Sequence, residues 1–262
     1  LEAFFRADTG SSGRFNGDTF FARNSYVGLS SPTLGSLTLG RNTTLLFVST
    51  IVFNAFGDSY GFSPSVRHVF LPSALTAPVT GDSGWNDSVL YTTPTFGGLK
   101  GSVLYAASEK VGGRNVSAAL NYGIGPFAAT AVFQDAKKDI SATVPVNDTR
   151  TWQVGAAYDF GVVKLFAQHT QAENRSLVGE PKSKLSDISA AIPVGSAGKV
   201  LAAYGLLDRP NTDLDRKTLS VGYDHFLSKR TDVYAVAMRD KDEAVSTHQT
   251  ATSFAVGIRH RF

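Results

Sequence analysis

Ser253–Phe262 reads SFAVGIRHRF. In an extended chain Phe254, Val256 and Ile258 fall on one face, Arg259 and Arg261 on the other, and the sequence stops on an aromatic residue. A strand that is apolar on one side and charged on the other suits a closed membrane barrel. Its outer face meets lipid, its inner face meets water, and its last strand pairs with the first so that no edge remains. In a soluble sheet the same alternation would only place one face on a core.

Working outward from this stretch, the same period-2 pattern recurs in fourteen segments of about 8 to 12 residues. They lie near 1–8, 20–30, 35–41, 85–93, 98–108, 114–122, 126–135, 150–159, 162–171, 184–192, 199–208, 217–226, 230–239 and 251–262. Trp152, Val154, Ala156 and Tyr158 share a face opposite Gln153, Gly155 and Asp159. Leu219, Val221 and Tyr223 oppose Thr218, Ser220 and Asp224, and Phe127, Ala129, Ala131 and Phe133 oppose Thr130 and Gln134. Short connections (31–34, 94–97, 123–125, 160–161, 193–198, 227–229) alternate with long polar ones (9–19, 42–84, 136–149, 172–183, 209–216, 240–250), with 109–113 a short exception on the loop side. That order puts tight turns on one rim and loops on the other, as in an outer-membrane barrel; Greek-key links of a sandwich do not produce it. Aromatic residues near the segment ends, Trp85, Trp152, Tyr223 and Phe226 among them, are expected in the two interface girdles. No segment of useful length carries a helical period.

Composition agrees. The 262 residues include 25 Gly and 27 Phe plus Tyr, with no Cys, which excludes a disulfide, a thiolate metal site and a Cys nucleophile. No apolar run reaches the length of a membrane-spanning helix, a condition that barrels escape because lumen residues dilute every strand. A net charge of +3 does not support nucleic-acid binding by bulk electrostatics. The five histidines are scattered without an HExxH or His-x-His pair, and neither a G-x-S-x-G elbow nor a phosphate loop occurs. No catalytic residue, cofactor or metal is therefore expected, and the chain is not read as an enzyme. It opens at Leu1 already in strand-like alternation without a signal peptide, so a processed or truncated product is expected.

The 43-residue insertion 42–84 breaks the rhythm; an inserted loop in a wide barrel can fold inward and narrow the pore. Together with LEAFFRADTG (1–10), ARNSYVGLSSPTLGSLTLGRN (22–42), NDSVLYTTPTFGGLKGSVLY (86–105), YDFGVVKLFAQH (158–169) and VGIRHRF (256–262), it resembles the trimeric general porins of Gram-negative outer membranes, most closely the betaproteobacterial kind. The resemblance implies an all-β transmembrane antiparallel barrel of the 16-stranded porin type, of which this chain carries about fourteen strands as one domain, 1–262, with an inward-folding loop at 42–84. It implies a homotrimer in the bacterial outer membrane, in contact with the lipid bilayer and lipopolysaccharide. By matching position, Arg23 is a constriction arginine, Glu2 a lumen glutamate facing it, Arg41 an outward trimer contact, and Phe262 the terminal residue read by the outer-membrane assembly machinery. Departures from the family pattern are Trp85 in place of an arginine, and Leu45-Leu46-Phe47 where the loop usually opens Tyr-Asp. Another constriction arginine of the family would sit on its second strand, which is expected to precede Leu1.

The loop supplies Asp58 and Arg67 as further constriction candidates, and the charged parity of the strands supplies Lys100, Lys164, Asp159, Asp224, Arg259 and Arg261 as lumen wall charges. Two unit charges about 7 Å apart in water interact by roughly 0.6 kcal/mol, about threefold in local concentration. The resemblance implies a water-filled channel for passive diffusion of small hydrophilic solutes and ions, and the acid-poor loop facing arginines predicts a weak anion preference. The alternative is a substrate-specific channel on the same scaffold, kept open by the apolar stretch Leu45–Phe53. Fourteen strands by themselves would expose two edges, so the 262 residues alone are not expected to insert stably.

Overall fold

The computed structural model describes residues 2–8, 24–70, 83–107, 113–137, 148–175, 182–210, 215–243 and 249–261. Within them run fourteen strands: β1 (Glu2–Asp8), β2 (Asn24–Ser31), β3 (Gly35–Thr43), β4 (Gly84–Thr92), β5 (Leu99–Ala106), β6 (Asn115–Ile124), β7 (Phe127–Ala136), β8 (Thr149–Asp159), β9 (Lys164–Asn174), β10 (Lys182–Val194), β11 (Gly198–Asp208), β12 (Arg216–Phe226), β13 (Thr231–Asp242) and β14 (Gln249–His260). They form one sheet in chain order, each strand antiparallel to the next. Every segment read from alternation corresponds to one of these strands. Among the described residues no ladder joins β14 to β1.

The two faces follow the alternation. Outward positions are apolar and open: Leu219 and Val221 on β12, Trp152 and Val154 on β8, Phe133 on β7. Inward positions are small or polar and buried: Thr130 and Gln134, Thr151 and Gln153, Thr218 and Ser220. On β14, Phe254 (79 % exposed) and Val256 (83 %) stand barer than Val221 (46 %), because among the described residues this strand is paired on one side only. Short turns close through glycines in the left-handed region, Gly125 (φ 54°) after β6 and Gly161 (φ 81°) after β8, where a side chain would be strained.

Two aromatic expectations are corrected. Trp85 does not join an outer girdle; it is buried against Leu45 and Leu46. The cause is a bulge on β4: Gly40 pairs with Ser88, but Asn42 pairs with Trp85, and the extra residue is accommodated at Asp87 (φ 54°), turning the indole inward. Phe226 shares the inward parity of Asp224, and its ring lies 5.1 Å from the Lys199 ammonium, which comes from the inner side of β11.

The connection after β3 is also corrected, since it is partly helical. Helix α1 (Leu45–Val52) begins at Thr44, whose hydroxyl accepts from the Phe47 N–H at 3.4 Å; α2 (Pro64–Phe70) begins with proline, and the Ser63 hydroxyl accepts from the Val66 N–H at 3.3 Å. Phe47 holds the pair together, stacking with Tyr60 at 5.9 Å and meeting the Phe70 edge at 5.0 Å. α1 escapes periodicity reading because LLFVSTIV is apolar on nearly every side: its buried face rests on the wall, and Val48 and Val52 remain exposed on the other. Leu45, Leu46 and Val69 join Leu104, Ala119, Val132, Leu185 and Leu207 of five strands in one apolar cluster, so the inserted segment packs on the inner face of the sheet.

Candidate functional site

The inner wall is shaped to receive the inserted segment. Three inward positions carry glycine, where a Cβ would crowd the segment at two and overlap it at the third. At Gly155 the Cβ would lie 3.0 Å from the Phe53 ring; at Gly222, 3.2 Å from the Phe56 ring; at Gly205 it would overlap the Pro64 Cβ outright. Around these dents the polar wall residues bind backbone and hydroxyl groups of the loop. Gln168 Nε2 donates toward the Phe53 carbonyl (3.1 Å), the Thr50 carbonyl (3.3 Å) and Ser65 Oγ (2.9 Å). Gln153 Nε2 donates to Thr50 Oγ1 (2.9 Å), and the Ala55 N–H donates to Ser189 Oγ (3.0 Å). The loop therefore lies mainly on β7 to β12, with the start of α1 also resting on Trp85, Leu104 and Ala119 of β4 to β6, and leaves an open space between α1 and the rest of the β2–β6 wall.

Charges sort into two layers. At the long-loop rim, Arg216 forks onto Asp240 through Nε (3.0 Å) and Nη2, and reaches Asp242 at 3.5 Å. Arg209 is 3.7 Å from Asp242, and Arg67 reaches Asp240 at 3.5 Å, which ties α2 to β13. Beside them His68 is buried, with Nε2 2.8 Å from Thr218 Oγ1. Burial first, and the neighbouring Arg216 second, push its pKa down to about 3, so it is neutral at pH 7. At the short-turn rim, Arg259 grips Asp232 at 2.7 Å and approaches Asp224 at 3.5 Å, with Lys199 at 3.9 Å from Asp224.

The free side is a cavity of about 560 Å³ between α1 and the β2–β6 wall. Asn24, Thr38, Thr92 and Asn121 line it from the wall, and Leu45, Val48 and Ser49 from the helix. Lys100 is the single charged side chain among the described residues that line it.

The anticipated site residues fall as follows. Glu2 pairs with Ser30 on the inward parity of β1 and is exposed. Asp58 is exposed at the loop tip and acts electrostatically on Arg259. Arg67 is partly spent on Asp240. Lys100 and Lys164 face inward and are exposed, the latter 5.3 Å from the Phe166 ring centre; Asp159, opposite Lys164 in register, accepts from the Gly161 N–H at 2.8 Å. Asp224 is buried beside Arg259. Arg261 is exposed just past β14, where its N–H donates to the Arg230 carbonyl. Arg41 shares the outer side with Asn86, donating to its Oδ1 at 3.0 Å. Arg23 and Phe262 lie outside the described residues. Sequence reasoning passed over Gln153, Gln168, Lys199, Arg216, Asp232 and Asp240; their inward parity was legible, their partners were not. Among the described residues no cluster of three or more His, Asp or Glu could hold a metal ion.

Comparison with known proteins follows the same lines. The sequence profile described as Gram-negative porin matches residues 1–244. Outer membrane porin protein 32 of Delftia acidovorans is 29 % identical over 285 residues, spanning 100 % of this chain and 79 % of that protein. An outer membrane porin protein of Bordetella pertussis is 25 % identical over 315 residues, spanning 100 % and 78 %. Among solved structures, the anion-selective porin from Comamonas acidovorans superposes with a TM-score of 0.77 at 25 % identity, covering 92 % of this chain and 78 % of that one. OmpT of Vibrio cholerae in a trimer form gives 0.69 at 16 % identity, over 91 % and 80 %, a likeness of fold.

Proposed function

The chain belongs to the Gram-negative porin family, and we propose that its channel prefers small anions. Membership makes it an outer-membrane porin, a water-filled path for passive diffusion of small hydrophilic solutes and ions; family and fold point to a transport channel rather than an enzyme. The observation that carries the preference is the lining of the open cavity, where Lys100 is the one charged group among the described residues. Asp224, Asp232, Asp240 and Asp242 at the two rims are answered by Arg67, Arg209, Arg216, Lys199 and Arg259, so these four add little net field at the passage. An uncompensated ammonium at a low-dielectric wall raises the local concentration of anions, an effect that salt screens. The anion-selective porin from Comamonas acidovorans supports the same reading.

The remaining assignments belong to this reading. Glu2, Asp58 and Arg67 are assigned to the border of the constriction. The outer faces of β2 and β3, where Val27, Leu29, Leu37 and Leu39 are exposed and Arg41 stands at the rim, form the contact of a homotrimer. Lipid and lipopolysaccharide meet the remaining apolar belt, and Phe262 is the residue offered to the assembly machinery.

The test is the zero-current potential of the reconstituted full-length protein across a KCl gradient. Chloride should permeate a few times better than potassium at low salt, and Lys100→Gln should reduce the ratio about twofold to threefold. An unselective or cation-selective wild type would refute the proposal.

A further inference from the structure

The open cavity is not evenly polar. Val48 is 42 % exposed, although Leu45, Leu46 and Phe47 of the same helix are buried. It faces the passage together with Leu90 of β4, and at the β1–β2 end the rings of Phe4 and Tyr26 meet edge to face at 6.1 Å. Water held against such a flank is released when an apolar body covers it. On the far side, Lys100 pairs in register with Asn121, so an ammonium and an amide stand on neighbouring strands and face the same space. A carboxylate can accept from both, and charge-assisted hydrogen bonds of this kind are the strong ones. The volume, about 560 Å³, lies within the roughly 300–1,000 Å³ of small-molecule sites.

We infer that the cavity between α1 and the β2–β6 wall is a binding subsite for small aryl-substituted carboxylates, with the apolar body on Val48 and the Phe4–Tyr26 pair and the carboxylate at Lys100. The inference rests on the anion preference proposed above and adds to it. Chloride responds to the charge alone, whereas an aryl carboxylate also uses the apolar flank, so such a solute dwells in the passage and obstructs it while bound.

The experiment titrates 3-phenylpropanoate, propanoate and 3-phenylpropanol against the KCl conductance of the reconstituted wild-type porin. Phenylpropanoate is expected to lower conductance saturably, at concentrations at least about tenfold below those at which propanoate or the alcohol acts, because it alone carries both the charge and the ring. Val48→Asn should weaken its block roughly tenfold and Lys100→Gln at least as much; Val52→Asn, on the same helix but outside the cavity lining, should leave the block unchanged. Equal action of phenylpropanoate and propanoate overturns the inference, as does a block that survives Val48→Asn or Lys100→Gln. The wild-type reversal potential in KCl is read in the same experiment. A potential that is not anion-directed defeats the anion preference itself, a result distinguishable from an anion-selective channel that phenylpropanoate does not block.

Discussion

Gln168→Leu isolates what holds the inserted segment on the wall. Leucine nearly conserves volume, so no cavity opens, and its neighbours on β8 and β10 keep their backbone ladders. The lost contacts are those to the Phe53 carbonyl, the Thr50 carbonyl and Ser65, with the bond that Gln168 Oε1 accepts from Gln153 at 3.0 Å. The Thr50 carbonyl retains Asn54 Nδ2 at 2.7 Å, and Gln153 retains Thr50 and Thr170, so those losses are small. The bond to Ser65 and the orphaned, buried Phe53 carbonyl account for most of the effect, about 1 kcal/mol and about 2 kcal/mol respectively. A total near 3 kcal/mol raises the undocked population roughly hundredfold. Arg67 is the sole Lys or Arg between Arg41 and Lys100, and it is flanked by buried Val66 and His68, so trypsin reaches the 67–68 bond only from the undocked state. Cleavage there should accelerate up to about hundredfold while the barrel core stays intact, and open-channel current noise should rise. Unchanged cleavage and unchanged noise would refute the idea that this glutamine clamps the loop.

Gly205→Val places a side chain where Pro64 sits, at an overpacking cost of about 1–3 kcal/mol; α2 should be pushed toward the passage and single-channel conductance should fall. Undocked His68 binds a proton below its ordinary pKa of 6.5 and the docked imidazole does not until about 3, so docking stability present above pH 6.5 is lost as pH falls toward 3. At pH 5 the loss is on the order of 2 kcal/mol, visible as faster cleavage after Arg67, and His68→Gln should flatten that pH dependence. Asp232→Asn removes the 2.7 Å partner of Arg259, which keeps Asp224 at 3.5 Å; with Arg259 38 % exposed, the cost should be about 1–2 kcal/mol, read as a lower denaturation midpoint of the folded barrel.

The barrel was legible in the chain because a strand's outward or inward parity is a property of adjacent residues. Leu219, Val221 and Tyr223 against Thr218, Ser220 and Asp224 require no partner to declare which side meets lipid, and the alternation of short and long connections orders the strands along the chain. Local sequence also marked 42–84 as exceptional by length alone. It did not show that Leu45–Val52 is helical, because a nearly all-apolar octet has no polar face to reveal a period. Nor did it show where the segment lies, because its contacts come from far along the chain: Ser49 meets Thr130 across 81 residues, Thr50 meets Gln168 across 118, and His68 meets Thr218 across 150. The charges divide in the same way. That Lys100, Asp224 and Arg259 lie on the inner side of the sheet follows from parity. That Arg259 is bound to Asp232 while Lys100 stands without an acid among the described residues of the cavity lining was decided beyond parity, since an ion pair depends on which residues the strand register sets opposite one another, as β13 and β14 set Asp232 and Arg259, and on where the loop docks.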